Sequence, residues 1–321
     1  MSMGRGRQIT LHLDGTTGDV QRSEFLDSHP QFGDHIVTVD YGDYRGVHGL
    51  RVPHAVEVRT AGVTFATSEV ESVTLGEPLD PAMLEVPKEM EWSDVPLGGA
   101  APTADLQVSD LGNGAYLIPG ASASYNVMFV DLGSSVFVLE APVNAQVSEA
   151  VMHKIKETLP GKPIEYVVMS HFHFDHSGGL VPYLESHATV VASKGNGEFI
   201  KELARAPRTL AGHEGPIDDP QLEPVGGHRE FGQTHRVELY EVGPNPHVDE
   251  ILVAYLPESK LLFVADLYSY SGQVTPASAM TLALADRLEE LELEIETIIP
   301  VHGQQASAAD FWESVRLGRE Q

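Results

Sequence analysis

Cysteine is absent from all 321 residues. That removes a disulfide framework, a thiolate metal site and a cysteine nucleophile together, so any metal must rest on imidazole and carboxylate. It also leaves the redox compartment unassigned. Basic residues are scarce: 20 Lys and Arg stand against 47 Asp and Glu, a formal charge of −27. Such a surface repels a phosphate backbone, whose binding depends on clustered Lys and Arg, so nucleic-acid partners are disfavoured. No apolar run approaches the roughly 18 to 20 residues of a membrane span, and the N-terminal MSMGRGRQITLHLDG lacks an apolar stretch of signal-peptide length. The expectation is a soluble chain with no membrane span, cytoplasmic or, after loss of a leader, periplasmic. Internal repeats and low-complexity tracts are also missing.

What is present suits one large domain or two ordinary ones, with 42% hydrophobic residues to build a core. Residues 8–74 read as short alternating segments, such as HIVTVDYGDY and AVEVRTAGVTFAT, broken by Gly, Asp and Pro. Period-two alternation between turn residues predicts antiparallel strands. Residues 75–105 are dense in Pro, Gly and acids without periodicity, which predicts a linker or surface crossing. From residue 106 strand-like runs (AYLIPG, YNVMFVDLG, SVFVLEAP, IEYVVMS) interleave with helix-like ones (NAQVSEAVMHKIKETLP, GEFIKELARAP, SAMTLALADRLEELELE). Sheets covered by helices are expected there. The division expected is a β-rich accessory region with its linker over 1–100 and a catalytic domain over 101–321.

The stretch VMSHFHFDHSGG puts three histidines and an aspartate into six consecutive residues, after an apolar run and before paired glycines. His171 and His173 are two apart, so in an extended or tight-loop backbone their rings point the same way and can share one metal. Asp175 and His176 follow within the same turn and can serve a second, because Ser177-Gly178-Gly179 lets the chain bend sharply. Four ligands do not close two sites. Further candidates are His247 in the loop GPNPHVDE, Asp266 after the apolar run LLFVA, and His302 after IIPV.

With these residues in place the sequence resembles the metallo-β-lactamase superfamily of hydrolases, whose His-x-His-x-Asp-His signature stands here as HFHFDH. The resemblance covers about residues 106–321. It implies an α+β fold, an αββα sandwich, here preceded by a mostly antiparallel β extension. It also implies two divalent metal ions, zinc first with iron or manganese as alternatives. His171, His173 and His247 would hold metal one, Asp175, His176 and His302 metal two, and Asp266 would bridge them. A metal-bridged hydroxide would attack the substrate, with Asp175 orienting it.

Tyr268 and Tyr270 follow Asp266 closely and are candidate hydroxyl donors to a substrate oxygen; equally, one of them packs its ring in the core. Asp249 could orient the His247 ring. Glu140 departs from the family, which more often has an aspartate before a small residue and glycine. His153, His187, His213, His228 and His235 read as surface or loop residues.

Without cysteine the lactamase groups that place one at metal two are excluded, and Asp266 separates the chain from the group that lacks a bridging carboxylate. The diiron flavoprotein branch usually has a carboxylate where His173 stands. The function implied is therefore hydrolysis of an ester, lactone or related acyl bond in a small-molecule substrate, with phosphodiesters behind. A mononuclear iron persulfide dioxygenase-like oxidoreductase is the alternative from another class, and a retired, non-catalytic scaffold a third. A homo-oligomer is left open. Residues 205–228, read as loop, are expected to wall the substrate pocket.

Overall fold

The computed structural model describes residues 8–76, 101–212 and 215–320. Most of the expected linker, and His213, lie outside the described residues. The chain divides into two compact units.

The first unit is a five-stranded antiparallel meander: β1 (Ile9–Leu13), β2 (Val20–His29), β3 (Gly33–Val47), β4 (Leu50–Thr60) and β5 (Val63–Glu69), paired in that order. His48-Gly49 and Ala61-Gly62, all at positive φ, make the two-residue turns on either side of β4; this turn type matches the twist of paired strands. Register puts Phe25, Val37, Val39, Val58 and Ala66 on one face. Arg22, Asp40, Glu57 and Arg59 lie on the other and form one ion-pair chain. The alternation read in the sequence is thus an apolar face and a charged one.

A later stretch, Ala206–Gly215, also belongs to this unit. Buried Arg208 donates to the carbonyls of Pro30 and Gln31, and Asp34 N–H donates to Pro207 O at 2.6 Å. Gly33 sits at φ +64, and a Cβ there would meet Pro207 O at 2.2 Å, so only glycine fits the junction.

The second unit is built on two sheets. One contains β6 (Ser109–Gly112), β7 (Ala115–Ser122), β8 (Tyr125–Asp131), β9 (Val136–Leu139), β10 (Ile164–Met169), β11 (Thr189–Ser193) and β12 (Leu222–Val225), in the order β12-β11-β10-β9-β8-β7-β6. Its β6–β9 half is antiparallel and its β9–β12 half parallel. The other runs in chain order: β13 (His228–Phe231), β14 (Val237–Val242), β15 (Ile251–Leu256), β16 (Leu261–Val264), β17 (Thr297–Pro300) and β18 (Ala306–Ser307).

Strands β9 and β15 are buried at every residue, as strands covered on both faces must be. Helices α1 (Ala145–Thr158), α2 (Phe174–Ser177), α3 (Leu180–Glu185) and α4 (Gly197–Arg205) belong to the crossovers of the first sheet, and α5 (Ala279–Leu291) and α6 (Ala308–Arg319) pack on the second. Asn144, Ser278 and Ser307 cap α1, α5 and α6 by accepting N–H bonds from the first turn. One continuous core joins both sheets, giving the αββα sandwich. Residues 205–228, expected as loop alone, contain β12 and the start of β13, strands too short to show alternation. No helix among the described residues is long and apolar enough to cross a membrane.

Candidate metal centre

Strands β10, β14, β16 and β17 deliver the predicted residues to one edge of the sandwich. His171 follows β10 by two residues and leads into α2, which carries Asp175 and His176. His247 lies on the β14–β15 loop, Asp266 two residues past β16 and His302 two past β17. Crevices outside the carboxyl ends of strands are where ligand sites of layered sheets form. Gly179 seats the signature loop: a Cβ there would meet Ser148 Oγ of α1 at 2.2 Å and Pro142 O at 2.4 Å.

The seven side chains form two clusters, His171/His173/His247/Asp266 and Asp175/His176/Asp266/His302, with ligand atoms within 4.8 Å of one another in each. In the first, His171 Nε2 lies 3.0 Å from His173 Nδ1 and 3.1 Å from His247 Nε2, which is 3.1 Å from Asp266 Oδ2. In the second, His302 Nε2 is 3.1 Å from Asp175 Oδ2. His176 Nε2 lies 3.3 Å from Asp175 Oδ2 and 3.1 Å from Asp266 Oδ1, yet neither approach is aligned as a hydrogen bond. Among the described residues, both His176 Nε2 and Asp266 Oδ1 are buried with no hydrogen-bond partner. Asp266 thus turns one oxygen to each cluster.

The electrostatics favour added positive charge. Glu140, Asp175 and Asp266 converge here, and among the described residues no Lys or Arg pairs with any of them. Burial, aided by His176, pushes the His171 imidazole down to about 2, so it offers a lone pair. Burial works to raise the Asp266 carboxyl, but His176 and the surrounding imidazoles hold it down to about 2. Asp175 is held well below the usual carboxylate range against the same burial, by His176 and His302. Burial also works against a charged His176, yet Glu140 first, then Asp175 and Asp266, push it well above the ordinary range. Imidazole nitrogens 3 Å apart and orphaned buried oxygen and nitrogen atoms would be costly without a cation between them. The donor set of imidazoles and carboxylates fits a borderline divalent metal.

Behind the second cluster stand three residues, of which the sequence marked only Glu140, as a departure from the family pattern. Asn126 donates to the carbonyls of Pro300 and Gly303, both at 2.8 Å, and accepts from Gly120 N–H, clamping the loop that carries His302. Tyr125 and Glu140 both lie against His176. A YN pair opening a strand gives no local signal; β8–β9 pairing brings Tyr125 and Glu140 together.

The family model described as the metallo-beta-lactamase superfamily matches residues 126–302. The chain belongs to the metallo-β-lactamase superfamily. Solved structures of the same fold include a metallo-beta-lactamase from Pontibacter korlensis, 19% identical, with a TM-score of 0.51 over 67% of this chain and all of that one. FIM-1 from Pseudomonas aeruginosa in its mono-zinc form is 19% identical, with a TM-score of 0.50 over 69% of this chain and 97% of its own. DIM-1 metallo-beta-lactamase is 17% identical, with a TM-score of 0.50 over 67% and 97%. A search of curated proteins finds no match. Members of the superfamily are mostly metal-dependent hydrolases, and the two clusters are this member's candidate metal ligands.

Of the remaining candidates in this superfamily member, Tyr268 is 5% exposed, packs edge-on against Phe311, and among the described residues leaves its hydroxyl buried without a hydrogen-bond partner; burial raises that hydroxyl to about 12. Tyr270 is half-buried and stacks on Tyr268. Among the described residues neither hydroxyl bonds to any of the seven, though Tyr268 and Asp266 both line a cavity of about 130 Å³ with Thr275, Ser278 and Thr281. Asp249 makes no hydrogen bond to the His247 ring among the described residues. His153, His187 and His228 are exposed and His235 half-buried.

Proposed function

We propose that this chain is a dinuclear metal-dependent hydrolase that cleaves an ester, lactone or related acyl bond. His171, His173 and His247 would hold one divalent cation, Asp175, His176 and His302 the other, with Asp266 shared between them; residues 101–321 would form the catalytic domain and 1–100 an accessory region. Cations held there would supply Lewis acidity, polarising a substrate carbonyl and lowering the pKa of water. The chain's own part is to orient and to exclude. Asp175 Oδ2 sits beside His302 and His176, where it can accept a hydrogen bond from the attacking water and orient it. Tyr268 or Tyr270 would assist by donating to the developing oxyanion.

The observation that carries this reading is the division of Asp266, with Oδ2 toward one cluster and Oδ1 toward the other. Phe172 and Phe174, 44% and 53% exposed, flank His173 and favour a carbon-rich substrate. The net charge of −27 disfavours nucleic acid, and the lack of cysteine disfavours the lactamase groups that use it.

Elemental mass spectrometry on protein purified without chelator or affinity nickel is the first test, followed by a screen of esters, lactones, β-lactams and phosphodiesters. About two zinc ions per chain, with ester or lactone turnover lost on chelation and regained with zinc, is the expected result. About one iron per chain would instead point to persulfide oxidation.

A further inference from the structure

The two clusters share Asp266 but differ in what stands behind their histidines. In the first cluster, among the described residues, no side chain hydrogen-bonds His173 Nε2 or His247 Nδ1, and His171 Nδ1 has only the Ser170 hydroxyl at 3.1 Å. In the second, Glu140 Oε2 lies 3.1 Å from His176 Nδ1, with the Tyr125 hydroxyl 3.2 Å from both that oxygen and that nitrogen. Ser170 Oγ is more distant at 3.5 Å. All three partners are deeply buried: Tyr125 is 2% exposed, Glu140 1% and His176 0%.

Glu140 reaches this position from an unusual backbone. It follows β9 at φ +89, a region that costs a non-glycine residue on the order of 1–3 kcal/mol and persists only where the surroundings demand it. Its N–H donates to Val168 O, which ties it to the strand that leads into the signature loop. Tyr125 touches the cluster twice more. Its ring meets His302 edge-on at 5.1 Å, and its backbone pairs with His302 in an isolated β-bridge. One Tyr–Glu pair therefore braces both histidines of the second cluster and neither outer histidine of the first.

A carboxylate only accepts hydrogen bonds, so Glu140 requires a proton of His176 on Nδ1; Nε2 is the nitrogen left to face Asp175 and Asp266, where a cation would take the place of its proton. The Tyr125 hydroxyl, donating to the same carboxylate oxygen, holds that oxygen in place. We propose that Glu140 and Tyr125 are positioning residues that fix His176 as a ligand of the second cluster, so that the second cation, and not the first, depends on them. The inference rests on the dinuclear reading above.

The test is stepwise binding of Zn²⁺ to metal-stripped full-length protein in competition with a chromogenic chelator, repeated with Co²⁺ to read the visible ligand-field bands. Wild type should take two equivalents. Glu140→Gln keeps the shape and removes the charge and the tautomer constraint. It should bind the first equivalent as wild type does and the second about 10- to 100-fold more weakly, the usual effect of losing such an outer partner. Tyr125→Phe, which keeps the ring against His302, should shift the second equivalent in the same direction by less. Co²⁺ bands of the second equivalent should move while those of the first stay. A wild type with two equivalents and a Glu140→Gln protein that binds both unchanged overturns the inference alone. Equal weakening of both equivalents, or a fall in the Tm of the metal-free protein with no selective effect in Tyr125→Phe, makes the pair merely structural and also overturns it. A wild type that binds fewer than two cations overturns the dinuclear reading first, and this inference with it.

Discussion

Two aspartates in this molecule divide their oxygens between two partners, and they do so in opposite settings. Asp40, on the charged face of the N-terminal sheet, gives Oδ1 to Arg22 at 2.6 Å and Oδ2 to Arg59 at 2.7 Å. Asp266 gives Oδ2 to the first histidine cluster and Oδ1 to the second. The partners of Asp40 are guanidinium groups, charged at every working pH, so the chain supplies its own cations and the carboxylate is satisfied. Asp266 faces imidazoles that are themselves candidate ligands and, among the described residues, leaves a buried oxygen without a hydrogen bond. The same bridging geometry closes on itself in one place and, in the other, leaves a candidate site for external cations.

The sharpest break of that contrast is Asp266→Ala. If Asp266 joins two cations, its loss removes ligands from both clusters at once. Turnover of the substrate identified in the proposed screen should fall at least a thousand-fold, about 4 kcal/mol of barrier, and metal content should drop toward zero by elemental analysis. Retention of both cations in this variant would reduce Asp266 to a spectator.

Next in size is Asn126→Ala. Asn126 touches no ligand side chain but holds the carbonyls on either side of His302. Its removal strands two carbonyls and the Gly120 N–H, which should cost on the order of 2–4 kcal/mol of stability, measured by denaturant unfolding. The second cation should be lost more readily than the first. An unchanged midpoint would show that the His302 loop holds itself.

Smaller still is Tyr268→Phe. The hydroxyl is buried and partnerless, so deleting it should leave stability within about 1 kcal/mol of wild type or slightly above it. That outcome with unchanged kcat returns Tyr268 to the core. A kcat lowered tenfold or more at unchanged Tm would give the hydroxyl to the substrate.

What could be read from the sequence follows the reach of each signal. HFHFDH was legible because its residues are contiguous, and His247, Asp266 and His302 because each follows a strand-like run. The alternation of residues 8–74 was legible as strands because one face is apolar and the other charged. Short strands such as β6, β12 and β18 span two to four residues and carry no period of their own. The association of Ala206–Gly215 with the N-terminal sheet depends on Arg208 reaching carbonyls more than 170 residues away. Tyr125 and Glu140 depend likewise on long-range pairing, since Tyr125 meets His302 only through the fold. Glu140 showed in the sequence as a departure from the family pattern, and the fold sets it against the His176 ring.

The smallest effect lies at the self-contained aspartate. Asp40→Asn removes one charge from a surface network whose members are roughly a quarter to two-fifths exposed, where pairs contribute little, so the loss at pH 7 should be under about 1 kcal/mol. Its pH dependence has a definite sign. The Arg22 hydrogen bond, ahead of the opposing burial, lowers the Asp40 carboxyl in the folded state. A depressed folded pKa stabilises above the unfolded value near 3.9 and loses that contribution as pH falls through the folded value. Denaturant unfolding of wild type and Asp40→Asn should therefore differ at pH 7 and converge as pH drops below about 4. Chelator should leave this difference untouched, because the partners of Asp40 are built into the chain. A gap that widened in acid, or that vanished on chelation, would mean that the two aspartates are not the contrast their geometry draws.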